Sequence, residues 1–381
     1  MNSPTHKENG VQMTVKNQFT EDMRKSDIEQ VRILSVDHRL PMNEMYTKGA
    51  ECLRKVLDQY AHLFKKGDRV LVKPNLLSAR DIQKGVTTHP KTLDAILHFL
   101  KDIGTKPFVG DSPPDGNGYR VAQQTGLIEV CEKHRVDFVE FDEPVRVDHD
   151  GEYDFNLSKC VLEADKIVNL AKMKTHSLTM LTLAVKNTFG CVPGKEKASW
   201  HFKALNTNHF AKLMVEICSA VNPTLSIVDG LIAHEGNGPS NGTPKSLGVI
   251  FISENPFALD DAITISLGID RKKNPILMEA AKKKCIPQYK IQGEWSGSMV
   301  LPTTHLVFSG LHFISNRFNR FKKRPQIDGG KCIKCRRCEQ SCPLKAIDID
   351  PLQIDYSKCI RCYVCHEVCP EDAISLVRGL F

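Results

Sequence analysis

The chain has no apolar run approaching the roughly 20 residues that a membrane-spanning helix needs, and Met1 to Lys25 lacks the apolar core of a secretory leader. A cytoplasmic protein with no transmembrane segment is expected. Nucleotide fingerprints are missing too. The glycine-rich stretch Gly236 to Gly242 has no Gly-Lys-Ser/Thr behind it, so it is no Walker loop, and it does not have the G-x-G-x-x-G pattern opening a helix after a strand. No flavin or nicotinamide fingerprint is present. No recognised nucleic-acid fold accompanies the net charge of +7. Arg317, Arg320, Lys322, Lys323 and Arg324 concentrate positive charge in one short segment, and the remainder is mixed in sign. That segment reads as a solvated linker, or as a docking surface for an acidic redox partner or an anionic membrane surface; no nucleic-acid partner is expected.

What the chain does have is cysteine at one end. Cys332, Cys335, Cys338 and Cys342 follow the spacing C-x2-C-x2-C-x3-C ahead of Pro343, and Cys359, Cys362, Cys365 and Cys369 repeat it ahead of Pro370. The two copies are offset by about 27 residues (359 against 332), and the likeness extends to Ile327-Asp328 with Ile354-Asp355 and to Ala346-Ile347 with Ala373-Ile374. Thiolates at this spacing wrap three corners of an iron–sulfur cubane, while the fourth cysteine, followed by proline, ligates the cluster of the other copy. Two 4Fe-4S clusters are therefore expected, one on Cys332, Cys335, Cys338 and Cys369 and the other on Cys359, Cys362, Cys365 and Cys342. Structural zinc takes two separated pairs of ligands, and a disulfide framework needs an oxidising compartment for which the sequence offers no address. The stretch resembles the bacterial two-cluster ferredoxins over about the last 55 residues. The six other cysteines (Cys52, Cys131, Cys160, Cys191, Cys218, Cys285) are widely spaced and read mostly as buried small apolar residues. A redox or ligand role is the alternative reading for Cys191, and His201 has similar standing.

A chain of 381 residues with 41% hydrophobic and 25% charged composition has room for a second, larger domain with a sizeable core. Four parts are expected: a flexible N-terminal arm over 1–30, an α/β domain over 31–300, an aromatic and basic linker over 301–325, and a ferredoxin-like domain over 326–381. Strands are expected near 31–36, 70–74, 107–109, 136–141, 166–170, 225–228 and 247–252. Helices are expected from Pro90 to Gly104 and over 181–187, 210–221 and 256–267, with 282–298 irregular. In the first helix proline sits in the opening turn, Leu93, Ile96, Leu97 and Leu100 share a face, and Gly104 ends the pattern. Such alternation gives the fold class: α/β with a largely parallel sheet covered by helices on both faces, plus a small α+β ferredoxin-like domain.

Reactive residue types gather at the ends of the expected strands, where open α/β sheets place ligands. These are Lys73-Pro74-Asn75, Gly110-Asp111-Ser112-Pro113, Lys172-Met173-Lys174-Thr175-His176 with Lys186-Asn187-Thr188-Phe189-Gly190-Cys191, and Val228-Asp229-Gly230 with the loop His234 to Gly242. This set of K-P-N, K-x-H, K-N-x-F-G, D-G and E-G-x-G-P-x-x-G segments resembles domain of unknown function family 362 over about residues 65 to 285. That family commonly bears a ferredoxin repeat and has no established common reaction. Read physically, Lys73, Lys174 and Lys186 with His176 form a cationic pocket for a carboxylate or phosphate, or they make separate surface ion pairs around an ordinary buried histidine. His176, Lys174 and Lys186 are the candidate catalytic residues, with His176 as proton donor. Lys73, Asn75, Asn187, Gly236, Gly238 and Gly242 are the candidate binding residues, the glycines through backbone amides cradling an anion or as an unliganded turn. Asp229 and Glu235 are weaker candidates for a cation or for acid–base work.

The resulting expectation is an oxidoreductase-type iron–sulfur protein. It would pass electrons from a redox partner protein through its clusters to a small anionic substrate or cofactor in the α/β domain. The alternative is an electron-transfer protein whose large domain docks a partner enzyme without catalysis of its own, and a third reading makes the clusters structural.

Overall fold

The structure is a computed structural model that describes residues 12–14, 28–113, 117–194, 196, 197, 200, 207–302 and 323–377. Strands in chain order are β1 (Gln12–Thr14), β2 (Glu29–Ser35), β3 (Arg69–Lys73), β4 (Lys106–Asp111), β5 (Phe138–Glu140), β6 (Pro144–Asp148), β7 (Asn156–Ser158), β8 (Lys166–His176), β9 (Met180–Thr182), β10 (Leu225–Glu235), β11 (Thr243–Ser253) and β12 (Tyr289–Gln292). The C-terminal part adds β13 (Arg324–Ile327), β14 (Ile347–Ile349), β15 (Leu352–Ile354) and β16 (Ile374–Val377). Nine strands form one sheet in the order β12-β2-β11-β10-β8-β3-β4-β5, with β9 beside the end of β8. The run from β10 to β5 is parallel, and β11 is antiparallel to both its neighbours.

Alternation along β3 distributes the core. Val70 and Val72 meet Leu53, Leu97 and Leu100 of the helices Met42–Leu57 and Pro90–Ile103 on one face. Leu71 meets Phe210 and Ile217 of the helix Thr207–Val221 on the other. Further along the sheet, Val228, Val249 and Phe251 pack on Leu259 and Ile263 of the helix Pro256–Ser266. The helix from Pro90 follows its sequence signals closely: Pro90 opens it, the His89 ring accepts from Lys91 N, and Gly104 closes it at φ +84°.

Several elements differ from the sequence expectations. Within the segment read as a loose arm, β1 pairs parallel with β6. β12, in the stretch read as irregular, pairs with β2 as an edge strand with mostly exposed side chains, so no alternation marks it. The helix Met42–Leu57 was not anticipated. β8 and β10 run well beyond their expected ends, because Lys172, Lys174 and His176 are buried strand residues and not loop residues. The Leu181–Asn187 segment splits into β9 and the short helix Ala184–Asn187. Most of the aromatic and basic linker, with Phe308, Phe313, Phe318, Phe321, Arg317, Arg320 and Lys322, lies outside the described residues, as does His201.

Candidate functional site

The strand order reverses between β3 and β8. From β3 the chain steps outward through β4 to β5, then returns to place β8 on the other side of β3 and β10 beyond it. A crevice beyond the carboxyl ends of strands at such a reversal is the usual ligand position in open α/β sheets. Lys73 ends β3, Asp111 ends β4, and Lys172 to His176 close β8. Sequence-distant candidates therefore come together there.

The lysines are buried, and their partners differ. Lys73 Nζ pairs with Asp111 Oδ1 at 2.8 Å with both side chains essentially inaccessible. Asp111 also accepts from Leu76 N at 2.7 Å and Ser112 N at 2.9 Å. A Cβ on Gly190 would collide with both members of this pair, which accounts for glycine at the end of the K-N-x-F-G segment. Lys172 pairs with Asp229 at 2.9 Å and donates to Tyr46 Oη at 2.6 Å. Asp229 is thus occupied by Lys172, and Glu235 by Lys245 at 3.1 Å and Val300 N at 2.7 Å.

Among the described residues Lys174 has no carboxylate in hydrogen-bond reach; it donates to Asn75 Oδ1 and, at 2.9 Å, to Val86 O. Asn75 in turn donates to Asn187 Oδ1 at 2.8 Å, and Asn187 to Asn169 Oδ1 at 2.8 Å. Burial, followed by the like charges of Lys186 and Lys172, holds the Lys174 ammonium well below the ordinary lysine range. Burial lowers Lys186 as well, with Glu367 opposing. Its Nζ lies 6.0 Å from the ring centroid of Phe189 and 5.9 Å from that of Phe210. Lys197, which carried no sequence signal, is buried beside Gly190 O and Ser112 O and is pushed down to about 7, chiefly by burial. Cys191 is fully buried and its thiol is pushed up to about 12, which makes it an unreactive core residue.

His176 has a defined tautomer. Its Nδ1 accepts from Leu178 N at 3.1 Å and Thr179 N at 3.3 Å, so the ring proton sits on Nε2. Nε2 faces Glu367 Oε1 at 3.3 Å. Glu367 belongs to the short helix Val364–Val368 of the cysteine-rich module, between Cys365 and Cys369. The module is therefore docked on the strand ends. Arg80 Nη1 pairs with Asp372 at 2.6 Å and donates to Ser240 O at 2.7 Å, and its Nη2 donates to the carbonyl of Cys369. Ser240 Oγ donates to Glu367 O at 2.9 Å and Asn241 Nδ2 to Ile374 O at 3.1 Å.

This docking changes the reading of the glycine loop. Gly236 N donates to Val300 O at 2.7 Å, Gly238 N to Gly236 O at 2.9 Å, and Gly242 N to His234 Nε2 at 2.9 Å, so these amides are spent inside the protein. His234 can accept because burial pushes its pKa down to about 4, leaving Nδ1–H to donate to Lys84 O at 2.8 Å. Cβ atoms on Gly238 and Gly242 would strike Thr175 O and Glu235 O. The glycines let the loop lie flat against β8 and β10 and present Ser240 and Asn241 to the module.

Asp260 positions the segment that carries Lys186 and Asn187. Its carboxylate accepts from Ala184 N at 2.8 Å and Val185 N at 3.0 Å, and burial nevertheless pushes its pKa up to about 8. The folded chain thus keeps a proton there that the unfolded chain releases near the ordinary carboxylate range. This group's contribution to stability is complete below that range and is lost as pH rises to about 8. Urea unfolding at pH 5 and pH 8 should show a smaller pH difference in Asp260→Asn than in the parent chain.

In the module, β13 pairs with β16 and β14 with β15, so each ladder joins the start of one cysteine copy to the end of the other. Left-handed backbone recurs at matching positions: Lys334, Arg336 and Lys345 in the first copy and Arg361, Tyr363 and Asp372 in the second. One space of about 340 Å³ is lined by Cys332, Cys335, Cys338 and Cys369, and another of about 370 Å³ by Cys342, Cys359, Cys362 and Cys365. Both are otherwise lined largely by apolar residues, among them Ile327, Ile349 and Ile374 around the first and Ile347, Ile354 and Val364 around the second. Ala346 N donates to Cys342 Sγ at 3.2 Å and Ala373 N to Cys369 Sγ at 3.3 Å, contacts that stabilise a thiolate. Among the described residues no three His, Cys, Asp or Glu side chains could hold one metal ion. The cysteines ring a space, as an iron–sulfur cubane requires.

Comparison with known proteins agrees with this geometry. Residues 70–264, half of the chain, match the family described as Domain of unknown function (DUF362). The chain belongs to the DUF362 family. In this DUF362 chain residues 324–370 also match a 4Fe-4S dicluster domain, so the C-terminal module is a ferredoxin-type iron–sulfur domain. The thylakoid-associated protein sll1697 of Synechocystis sp. is 40% identical over 227 residues, 59% of this chain and 71% of that protein. Among solved structures, the lactate racemase apoprotein from Thermoanaerobacterium thermosaccharolyticum is 13% identical at a TM-score of 0.41, over 64% of this chain and 58% of that one. No described helix of this DUF362 chain is long and apolar enough to cross a membrane.

Sequence reading missed Arg80, Lys197, Asp260 and Glu367. Only Glu367 carried a signal: it interrupts the cysteine run at a position where the other copy has Gln340.

Proposed function

We propose that the DUF362 chain carries two 4Fe-4S clusters with crossed ligation and delivers their electrons to an anionic substrate or cofactor at the end of β8, as an oxidoreductase of the cytoplasm. The observation that carries this reading is the approach of Glu367, lying between cluster ligands Cys365 and Cys369, to His176 Nε2 at 3.3 Å. Cys332, Cys335, Cys338 and Cys369 would hold one cluster and Cys359, Cys362, Cys365 and Cys342 the other. Bound clusters supply one-electron transfer. Lys174, buried, and Lys186, half-buried, neither bonded to a carboxylate among the described residues, attract a carboxylate or phosphate. Asn75 and Asn187 orient Lys174, Lys73 is neutralised by Asp111, and His176 holds a proton at Nε2 facing the module.

The test is anaerobic purification with iron quantified and bound anions identified by mass spectrometry. About eight irons per chain are expected at four per cubane, together with an anion that Lys186→Met loses while its iron content stays unchanged. Retention of the anion in Lys186→Met would overturn the substrate site and favour a large domain that serves only to dock a partner enzyme.

A further inference from the structure

The two cluster sites are related by the repeat, but their surfaces are not equivalent. Cys335 is exposed, whereas its repeat mate Cys362 is half-buried. Beside Cys335, Ile333 is 62% exposed, against 38% for its mate Ile360, and it is the most exposed large hydrophobic residue among those described. Lys331, Lys334 and Arg336 are exposed around it. Two of these are partly neutralised: Lys334 pairs with Asp350 at 3.1 Å, and Arg336 with Glu339 at 3.1 Å and with Asp350. A positive excess remains. Residues 331–350 hold five basic and three acidic side chains, whereas the matching 358–377 hold two basic and three acidic. The three extra basic residues are Arg336 and Arg337, which the other copy replaces with Tyr363-Val364, and Lys345, which it replaces with Asp372.

The same cysteine ring reaches the interior. Its fourth member, Cys369, is buried, and its carbonyl accepts from Arg80 of the α/β domain. One site thus has a ligand facing solvent and another facing the strand-end residues, while the second ring has no exposed cysteine.

We infer that the surface around Ile333 and Cys335 is the input face, and that its partner is a small acidic one-electron carrier protein. Ile333 is the apolar contact, and Lys331, Lys334 and Arg336 steer the acidic rim of the carrier onto it. The carrier gives up one electron and leaves oxidised by one; the electron is accepted at the Cys335 side, with no bond made or broken and no proton moved. This inference rests on the cluster reading above and adds the place and charge of the donor.

The test uses the full-length, cluster-loaded chain and a reduced, strongly acidic 2Fe-2S ferredoxin as probe, with cluster bleaching followed by stopped flow. Lys331→Glu/Lys334→Glu should slow reduction about tenfold at low ionic strength, and the difference should shrink as salt is raised. The mates Lys358→Glu/Arg361→Glu make the same charge change at the other site and should alter the rate less than twofold. Reduction by dithionite should be unchanged in both, which separates cluster loading from docking: a chain that dithionite cannot reduce contradicts the cluster reading itself. Equal slowing by the two double variants, a larger effect of the Lys358/Arg361 pair, or no salt dependence would overturn the assignment of the input face.

Discussion

Serine in place of Cys342 is expected to remove iron from the site of the other copy. Iron content should fall from about eight to about four per chain, because one cubane loses its fourth ligand. Pairs of variants identify which one. Cys342→Ser combined with Cys359→Ser should lose no more iron than either change alone, since both residues line the same space. Cys342→Ser combined with Cys335→Ser should remove nearly all of it, because Cys335 lines the other. Ligation within each copy predicts the reverse, so iron analysis of four proteins decides the matter. Spectra of the single variants should retain one reducible cluster, which shows that the module still folds.

The second large effect is expected at a buried ion pair. Asp111→Ala removes the partner of Lys73 and leaves the amides of Leu76 and Ser112 without their acceptor. Stranding a buried charge costs about 3–5 kcal/mol, a large part of the stability of an ordinary domain. Urea unfolding should therefore shift strongly toward lower denaturant, or the variant should be recovered only in aggregated form. The double change Lys73→Met/Asp111→Leu removes both charges and should recover much of the loss. If Asp111→Ala unfolds at the parent's midpoint, water reaches the pair and the site is more open than the buried geometry implies.

The cysteine rings were legible because the ligands are local: their spacing, the proline behind each fourth cysteine, and the repeat all lie within about 40 residues. The helix from Pro90 was legible for the same reason, with its opening, apolar face and stop within one short segment. β8 was cut short in the sequence reading because Lys172, Lys174 and His176 look like surface residues. They are buried only because Asp229, Asn75 and Glu367, all distant in sequence, supply their partners. The helix Met42–Leu57 has glycine at the buried position 49, which breaks its apolar pattern and whose value lies in a close approach to Leu231. The glycine loop misled for a related reason. Its composition suits an anion cradle, and only the long-range contacts at Val300 and His234 show that the amides are already taken.

The exchanged strands of the module have a mechanical consequence. Ile327 pairs with Ile374 and Ile347 with Ile354, so neither cysteine copy owns a complete ladder, just as neither cysteine ring is drawn from one copy alone. The two halves interlock as the links of a clasp do. Arg80, Ser240 and Asn241 grip the clasp on the second copy, close to Cys369 and Ile374, where the halves cross. Loosening one half frees the strand and the ligand that the other half needs, and it also slackens the hold on Glu367 opposite His176. Through these exchanged strands and rings, the order of each cysteine ring is coupled to the seating of the module on the large domain.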